Sequence, residues 1–563
     1  MDFKKILSEK IAAPLEMNAE EVLQMLETPP DTGMGDVALP CFKLAKTLKK
    51  APPKIAQELA ETLEKPDFIT EIKVLGGYLN FYYDTRVYVE SVLNTVCESG
   101  EDWGRQDAGA GKTVVIDYSS INIAKPFHIG HLSSTAIGSA LYKIYGFLGY
   151  QTVGVNHLGD WGTQFGKLIA AYKLWGSDED IEARSIDAML DLYVRFHKEA
   201  EEDESLNDLG RAWFKKIEDG DAEALRIFKW FSDVTLKEAQ KIYALLDVTF
   251  DSYAGESFYN DKIPAILSEL KQKQLLVESE GAYVVQLDEF DLPPALILKS
   301  DGTTLYITRD LAAAEYRKQT YDFYRCLYVV AYQQNLHFKQ LFATLEKMGH
   351  SWAEDMEHVA FGMVSLEDGT MSTRGGKVVL LKDVLARATE KTLAVINEKT
   401  PDLENKEQVA SDVGIGAVIY STLSQSRIKD ITFSFDRVLN FDGETGPYVQ
   451  YCHARCASLL SKWQENGKPA DFGALDNGDA KAVIKILESF PDALVSAAEK
   501  CEPFYVTRVT TALAQAFNKY YFEHRIIDED IEKTNARILL AKAVKTTIKT
   551  GLSLLGIKAP NKM

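Results

Sequence analysis

Cysteine is scarce in this chain, with 6 among 563 residues, and the cysteines follow no metal-ligand pattern. The sequence has no C-x-x-C pair and no cysteine pair with histidines at zinc-binding spacing. We therefore expect no disulfide framework, no zinc and no other metal site of the protein's own, which suits a reducing cytoplasm. The six are Cys41, Cys97, Cys326, Cys452, Cys456 and Cys501.

Long apolar runs are also missing, because no window approaches the roughly 20 apolar residues of a membrane span. The first residues, MDFKKILSEKIAAPLE, form a charged amphipathic stretch rather than a leader with an apolar centre. With 46% hydrophobic and 26% charged residues, the composition is that of a globular protein. We predict a cytoplasmic, soluble chain of about three to four domains that has no membrane partner.

Basic residues are in deficit, since 63 Lys and Arg face 83 Asp and Glu, and the net charge is −20. A negative total argues against a polyanionic partner, but the charge is unevenly distributed. Residues 177–223 hold sixteen acids against six bases, whereas residues 37–57 hold no acid and residues 533–563 hold seven cations and no acid. We expect any nucleic acid to meet the two basic stretches and the acidic segment to face solvent, although solvated helix edges would give the same pattern.

Three regions differ in their residue patterns. Residues 1–110 mix helical periodicity with a strand-like run and predict a small α+β domain. Residues 111–440 begin with a β-branched run, Thr113–Tyr118, and continue with strand-like segments at residues 282–285, 295–298 and 327–330, which alternate with helices as in a parallel sheet. A helical insertion of about 177–290 interrupts this region. Residues 441–563 read as helical throughout.

The sharpest motif is His128-Ile129-Gly130-His131, which follows the Thr113–Tyr118 run where a helix would begin. Gly130 would let a flat adenine approach the backbone, and imidazoles at a helix N-terminus can bind phosphate oxygens. Two ordinary histidines near a helix start are the alternative interpretation.

This motif resembles the HIGH motif of class I aminoacyl-tRNA synthetases, and its setting, residues 117–127, resembles that of arginyl-tRNA synthetases in particular. Further similar stretches cover nearly the whole chain: residues 159–166, 306–310, 333–337, 446–451 and 551–563. The resemblance implies an α/β protein with a Rossmann-type catalytic domain that carries a helical insertion. It also implies an N-terminal α+β domain at the tRNA elbow and an all-α C-terminal anticodon-binding domain.

The second family motif, KMSKS, departs from the usual pattern and reads Thr370-Met371-Ser372-Thr373-Arg374. Both lysines are missing, yet a loop that neutralises ATP phosphates needs cations. Some arginyl enzymes with this change carry a lysine just before HIGH, and Lys125 stands there, with Arg374 or Lys377 as helpers. The resemblance implies catalysis by Lys125, His128 and His131. Its ATP-binding set is Ser119, Lys125, His128, Gly130, His131, Met371, Ser372 and Arg374, with Mg²⁺ bound to the ATP.

Arginine selection requires carboxylates that accept its planar guanidinium fork in pairs. Asp310 is the leading candidate and Glu256 the second, and the resemblance implies that Asp310 lines the amino-acid pocket and that Tyr306 packs against the side chain there. A helix-start acid is the alternative interpretation of Asp310. By the same resemblance Asp117, Asn122 and Gln334 would hold the α-amino and α-carboxylate groups.

Tyr448, Gln450 and Tyr451 could read unpaired anticodon bases by stacking, or could simply be the start of an amphipathic helix. The implied activity is charging of tRNA(Arg) with L-arginine at the expense of ATP, by a chain that we expect to be a monomer. A nucleotidylyltransferase would share the histidine motif but would not need the flanking domains. A catalytically silent tRNA-binding relative would have lost the site residues, and a cysteinyl enzyme would need zinc ligands.

Overall fold

The structure is a computed structural model that describes residues 3–29, 32–123, 125, 127–299, 304–366, 379–464 and 467–563. The chain packs into two compact units. The first unit holds Met1–Trp103, Cys456–Ser489 and Ala512–Thr547, and the second holds Gly104–Arg455, Phe490–Thr511 and Ile548–Met563.

The N-terminal part of the first unit is a small α+β structure, as predicted. Its elements are α1 (Phe3–Leu15), α2 (Ala19–Met25), β1 (Val37–Pro40), α3 (Ala45–Leu48), α4 (Pro52–Thr62), β2 (Ile69–Leu75), β3 (Tyr78–Tyr83) and α5 (Thr85–Ser99). The strands pair antiparallel in the order β1-β3-β2. The aromatic rings of Phe3, Phe68, Tyr83 and Tyr88 pack together, so helices close one face of the sheet.

The predicted catalytic region, residues 111–440, starts with β4 (Thr113–Asp117), whose β-branched residues are buried on both faces. The elements from β4 onward are α6 (Gly130–Phe147), β5 (Gln151–Val155), α7 (Thr163–Trp175), α8 (Asp178–Arg184), α9 (Ile186–Glu202), α10 (Ser205–Glu218), α11 (Ala222–Leu245), α12 (Ile263–Gln272), β6 (Val277–Ser279), β7 (Ala282–Val285), β8 (Ala295–Leu298), α13 (Tyr306–Tyr321), β9 (Arg325–Tyr328), α14 (Asn335–Lys347), β10 (Met356–His358), β11 (Val364–Leu366), α15 (Leu381–Lys399), α16 (Lys406–Leu423), β12 (Ile431–Phe433) and α17 (Phe435–Val438).

The parallel sheet of the catalytic region has the strand order β10-β9-β4-β5. The chain runs from β4 outward to β5, and then returns to β9 on the other side of β4. The strand order therefore reverses between β4 and β9, and ligands of open α/β sheets bind outside the carboxyl ends of strands at such a point. The His128 motif comes after the carboxyl end of β4, and the 3₁₀ helix Tyr332–Gln334 comes after the carboxyl end of β9.

The prediction that residues 282–285 and 295–298 belong to the parallel sheet is wrong. Strands β7 and β8 pair antiparallel with each other in a separate sheet of order β6-β7-β8. Only short connections join these strands, and a parallel pair needs a crossover of a dozen residues or more. Helices α8 to α12 occupy most of the predicted insertion, and β6 and β7 lie at its end.

The described residues after 441 contain helices and no strand, as predicted. The helices are α18 (Gly446–Lys462), α19 (Gly478–Glu499), α20 (Phe504–Glu523) and α21 (Ile531–Leu554). None of the helices in the described part of the chain combines the length and the apolarity that a bilayer crossing requires.

Helix α6, which carries the histidine motif, packs closely against the residue that follows β4, and this contact fixes the position of the helix. A Cβ atom on Gly138 would lie only 2.2 Å from Cβ of Tyr118. Tyr118 is fully buried and its hydroxyl donates to the carbonyl of Thr249 at 2.6 Å, so its ring has no room to move. Glycine is therefore required at position 138.

We predict that Gly138→Ala lowers the free energy of unfolding by about 1–3 kcal/mol, because it overpacks the contact with Tyr118. Gly146→Ala is the matched control in the same helix, since its added Cβ would meet no atom closer than 3.6 Å. It should stabilise the protein by about 0.5–1 kcal/mol through helix propensity. Thermal unfolding of both variants measures the difference, and equal melting temperatures would contradict the assigned contact.

Candidate active site

The carboxyl end of β4 leads into a strained turn. Ser119 and Ser120 both have positive φ, at +68° and +44°, a conformation that non-glycine residues adopt at a cost. The turn is held by the amide of Ser119, which donates to Ser134 Oγ at 2.9 Å, and by Ser120 Oγ, which donates to Asp117 Oδ1 at 2.7 Å. Asp117, the last residue of β4, is thereby fixed at the edge of the site.

His128 and His131 stand at the start of α6 with their ring centroids 3.9 Å apart. The backbone amide of His128 donates to Nδ1 of His131 at 3.2 Å, and the amide of Gly130 donates to Nδ1 of His128 at 3.1 Å. An Nδ1 atom that accepts a hydrogen bond carries no proton, so each neutral ring carries its proton on Nε2. The motif thus presents two neutral imidazoles whose Nε2–H groups are donors.

The electrostatic surroundings keep both rings neutral. Burial, together with the neighbouring His128, lowers the pKa of His131 to about 3. Burial also lowers the pKa of His128, and the charge of Lys125 adds to the effect. Lys125 itself lines a cavity of about 140 Å³ together with Phe127, Leu380 and residues of α9 and α11. A cation and two neutral donors therefore lie together at the helix start.

The chain segment before α6 pairs with the residues that precede α15. The amide of Ile129 donates to the carbonyl of Val379 at 3.1 Å, and the amide of Leu381 donates to the carbonyl of Phe127 at 2.9 Å. The predicted phosphate-binding residues Met371, Ser372 and Arg374, with Lys377, lie outside the described residues. The pairing nevertheless brings residue 379 directly beside the histidine motif.

A second part of the site is an acidic pocket made by Glu256 and Asp310. Glu256 begins a short 3₁₀ helix (Glu256–Tyr259), and Asp310 lies in the first turns of α13. Oε2 of Glu256 is buried without a hydrogen-bond partner in the described residues. Burial and the nearby charge of Asp310 raise the pKa of Glu256 to about 8. A buried carboxylate oxygen with free lone pairs can accept a hydrogen bond from a cationic group.

Asp310 is partnered on both oxygens. His337 Nε2 donates to Oδ2 at 2.6 Å, and His157 Nε2 lies 3.8 Å from Oδ1. Burial alone would raise the pKa of Asp310, but the hydrogen bond and charge of His337 outweigh burial and lower it. Burial works to lower the pKa of His337, and Asp310 raises it above the ordinary value. Asp310 is therefore an ionised acceptor beside the protonatable Glu256.

The remaining predicted arginine ligands are brought to the same edge of the sheet. Asn122 pairs through its backbone with Gly159, next to the end of β4. Tyr306 is the first residue of α13 and is 62% exposed. Gln334 ends the short 3₁₀ helix Tyr332–Gln334, which follows β9, and it is exposed. The three residues therefore follow β4, begin α13 and follow β9, respectively.

Two predicted residues occupy positions that do not support a direct contact. Ser119 is buried, and its hydroxyl is engaged by Thr135 at 2.9 Å and by Tyr243 at 2.8 Å. Gln450 of α18 is also buried, and its amide donates to the carbonyls of Asp412 and Lys558 at 3.1 and 2.8 Å. Gln450 therefore supports the C-terminal residues.

The tyrosines on either side of Gln450 are more accessible. Tyr448 is half-buried, whereas Tyr451 is 41% exposed and lies under the guanidinium of Arg455 at 5.0 Å. Tyr451 is therefore the more accessible ring of the predicted set.

Sequence reasoning missed three residues of the site, Arg317, His157 and His337. Arg317 is 1% exposed and its Nη2 donates to Asp117 Oδ2 at 2.7 Å. Nothing in its sequence setting, a helix rich in alanine and charge, distinguishes it from a solvent-exposed arginine. His337 stands in a quoted family stretch, but only the fold shows that it meets Asp310.

One group of metal-type ligands comes together elsewhere in the described residues, formed by Glu269, Glu315 and His350. Nε2 of His350 lies 3.2 and 3.3 Å from carboxylate oxygens of the two glutamates. Lys273 also lies 2.8 Å from Glu269, so a cation of the chain already offsets the acids. We interpret this group as an ion-pair cluster that joins α12, α13 and the segment after α14.

We predict that Glu256 titrates near pH 8 in the free protein, since its carboxyl group is buried beside Asp310. Carboxyl ¹³C NMR of the glutamate-labelled protein should show one signal that titrates there and that Glu256→Gln removes. Glu64→Gln is the control, because Lys10 lowers the pKa of Glu64 and its signal belongs at the acidic end of the titration. A glutamate spectrum with no titration above pH 6 would rule out this assignment.

Family models match along almost the whole chain. The model described as the N-terminal domain of arginyl tRNA synthetase matches residues 1–83, and the catalytic domain of tRNA synthetases class I (R) matches residues 93–435. The DALR anticodon binding domain matches residues 449–563.

Whole proteins give the same result. Arginine–tRNA ligases of Alkaliphilus metalliredigens and Halothermothrix orenii are each 51% identical, with 100% of both chains covered. The arginyl-tRNA synthetase of Thermus thermophilus is 26% identical with a TM-score of 0.82, and 100% of both chains is covered. That of Plasmodium falciparum, at 23% identity and a TM-score of 0.78 over 100% of this chain and 99% of the other, shares the fold. The chain belongs to the arginyl-tRNA synthetase family of class I.

Proposed function

We propose that the protein is an arginine–tRNA ligase. An oxygen of the arginine carboxylate attacks the α-phosphorus of ATP, the bond to pyrophosphate breaks, and arginyl-adenylate forms. The 2′-hydroxyl of the terminal adenosine of tRNA(Arg) then takes the arginyl group, and AMP leaves. The observation that carries this proposal is the buried Oε2 of Glu256, which has no hydrogen-bond partner among the described residues and lies near Asp310, in the same site as the neutral histidine pair.

The acidic pocket explains the choice of arginine. A guanidinium offers paired donors in a plane, which suit carboxylate oxygens of Glu256 and Asp310, whereas a lysine ammonium is a point charge. Bound arginine would favour the ionised form of Glu256, so binding at neutral pH releases a proton. Tyr306 packs against the side chain, and Asp117, Asn122 and Gln334 hold the α-amino and α-carboxylate end.

Activation of the carboxylate depends on positioning and charge stabilisation, with no protein nucleophile. The Nε2–H groups of His128 and His131 donate to oxygens of the α-phosphate as charge builds up there. Because both rings are neutral, they act as hydrogen-bond donors rather than as acids. Lys125 neutralises the departing pyrophosphate. ATP enters as its Mg²⁺ complex, with Gly130 at the adenine, and the residues that the sequence assigns to the phosphates are Met371, Ser372 and Arg374.

The tRNA meets the helical C-terminal domain at its anticodon, where the exposed ring of Tyr451 and the half-buried ring of Tyr448 can stack on unpaired bases. The basic residues of 37–57 and 533–563 face the phosphate backbone. The enzyme acts as a monomer in the cytoplasm.

Charging assays with each of the twenty amino acids and total tRNA test the function directly. We expect arginine alone to be esterified to tRNA, because only a guanidinium satisfies both pocket carboxylates. Glu256→Gln should lower kcat/KM for arginine about ten- to hundredfold, as expected for loss of a charged hydrogen bond. Efficient charging with another amino acid would refute the proposal.

We predict that Lys125→Ala lowers tRNA-supported ATP–pyrophosphate exchange about a hundredfold, as expected for removal of one transition-state charge contact. Lys125→Arg should retain part of the activity because it keeps the charge. Lys241→Ala is the control, since Lys241 lines the same cavity but is paired with Glu238 at 2.6 Å. Near-normal exchange by Lys125→Ala would contradict this role and would show that other cations contact the triphosphate.

A further inference from the structure

Arg317 is the largest fully buried side chain among the described residues and is 1% exposed. Its Nη2 donates to Asp117 Oδ2 at 2.7 Å, and its guanidinium lies 5.2 Å from the ring centroid of Tyr328. Nε and Nη1 have no hydrogen-bond partner among the described residues. A buried ion pair contributes little net stability compared with apolar packing, so the site needs another reason to place a charge here.

The contacts of Arg317 continue across the pocket. Nη2 also lies 3.4 Å from Nδ1 of His157, whose Nε2 lies 3.8 Å from Asp310 Oδ1. Asp310 in turn accepts from His337 at 2.6 Å. A continuous chain of polar side chains therefore joins Asp117, at the end of β4, to Asp310 in the acidic pocket.

Helix α13 supplies two members of this connection, Asp310 and Arg317. Asp310 and Arg317 are seven residues apart, a spacing that puts two side chains on the same face of an α-helix. One face of α13 thus presents the acceptor for the guanidinium and the cation that binds Asp117. The distance between the two carboxylates is set by a rigid element rather than by a loop.

We propose that Arg317 is a positioning residue for recognition of the α-amino group of the amino-acid substrate. It fixes one oxygen of Asp117, while Ser120 fixes the other at 2.7 Å, so that the carboxylate keeps lone pairs aimed at a substrate ammonium. Through α13 it also holds Asp117 at a set distance from Asp310. This inference rests on the proposed function, which assigns Asp117 to the α-amino end of arginine.

Isothermal titration calorimetry of the full chain with two ligands tests the inference. The ligands are L-arginine and 5-guanidinopentanoate, which is arginine without its α-amino group. Arg317→Gln should raise the Kd of L-arginine about ten- to hundredfold and that of 5-guanidinopentanoate less than about threefold. Asp117→Asn should cause the same selective loss, and the double variant should show no further loss because the two residues act as one unit.

Arg317→Lys covers the case in which the glutamine variant does not fold. It keeps the buried charge but offers a single nitrogen, so its preference for the α-amino group should be intermediate. Arg427→Lys is the matched control, because Arg427 is another largely buried guanidinium and its partners are the backbone carbonyls of Ala360 and Cys501 and the carboxylate of Glu502, not Asp117 or Asp310. Its ratio of the two Kd values should equal that of the wild type.

The remaining outcomes separate this inference from the function on which it rests. Equal weakening of both ligands by Arg317→Gln, or additive losses in the double variant, would overturn the positioning role while the function stands. If Asp117→Asn keeps the full preference for the α-amino group, the assignment of Asp117 fails, and the role of Arg317 fails with it. If the wild-type protein does not charge tRNA with arginine, the proposed function itself is wrong.

Discussion

The catalytic region depends on the parallel pairing of β4 with both β5 and β9. This pairing places the end of β4, with Asp117 and the strained Ser119–Ser120 turn, beside the residues that follow β9. The crevice at this reversal of strand order is where the histidine motif, Gln334 and the first turns of α13 come together. Residues far apart in sequence thus become parts of one site through backbone hydrogen bonds that involve none of their side chains.

Charge within the site is arranged in two contrasting ways. At the start of α6, backbone amides donate hydrogen bonds to Nδ1 of His128 and of His131. Burial keeps both rings neutral, so their Nε2–H groups serve as hydrogen-bond donors. In the acidic pocket, Asp310 is stabilised as an anion by His337, whereas Oε2 of Glu256 has no hydrogen-bond partner in the part of the chain that the structure describes. The first arrangement suits developing phosphate charge, and the second suits an incoming guanidinium.

The limits of sequence reasoning are visible at particular residues. The His128 motif, the buried strand β4 and the helical insertion were predictable because each has a local signal in spacing or composition. The pairing of β7 with β8 was not, because a buried parallel strand and an antiparallel hairpin share the same apolar pattern. The burial of Gln450 was equally hidden, since its partners Asp412 and Lys558 lie 38 residues before it and 108 residues after it.

The sequence by itself determined the family, the order of the domains and the residue types that carry the chemistry, since motif spacing and charge distribution are properties of the chain. Only the tertiary structure decided which of those residues meet. The tautomers of the histidines follow from backbone amides, the raised pKa of Glu256 follows from burial beside Asp310, and the Arg317–Asp117 pair joins residues 200 positions apart. Hydrogen bonding and desolvation depend on distances in space, and these exist only once the sheet has brought the strand ends together.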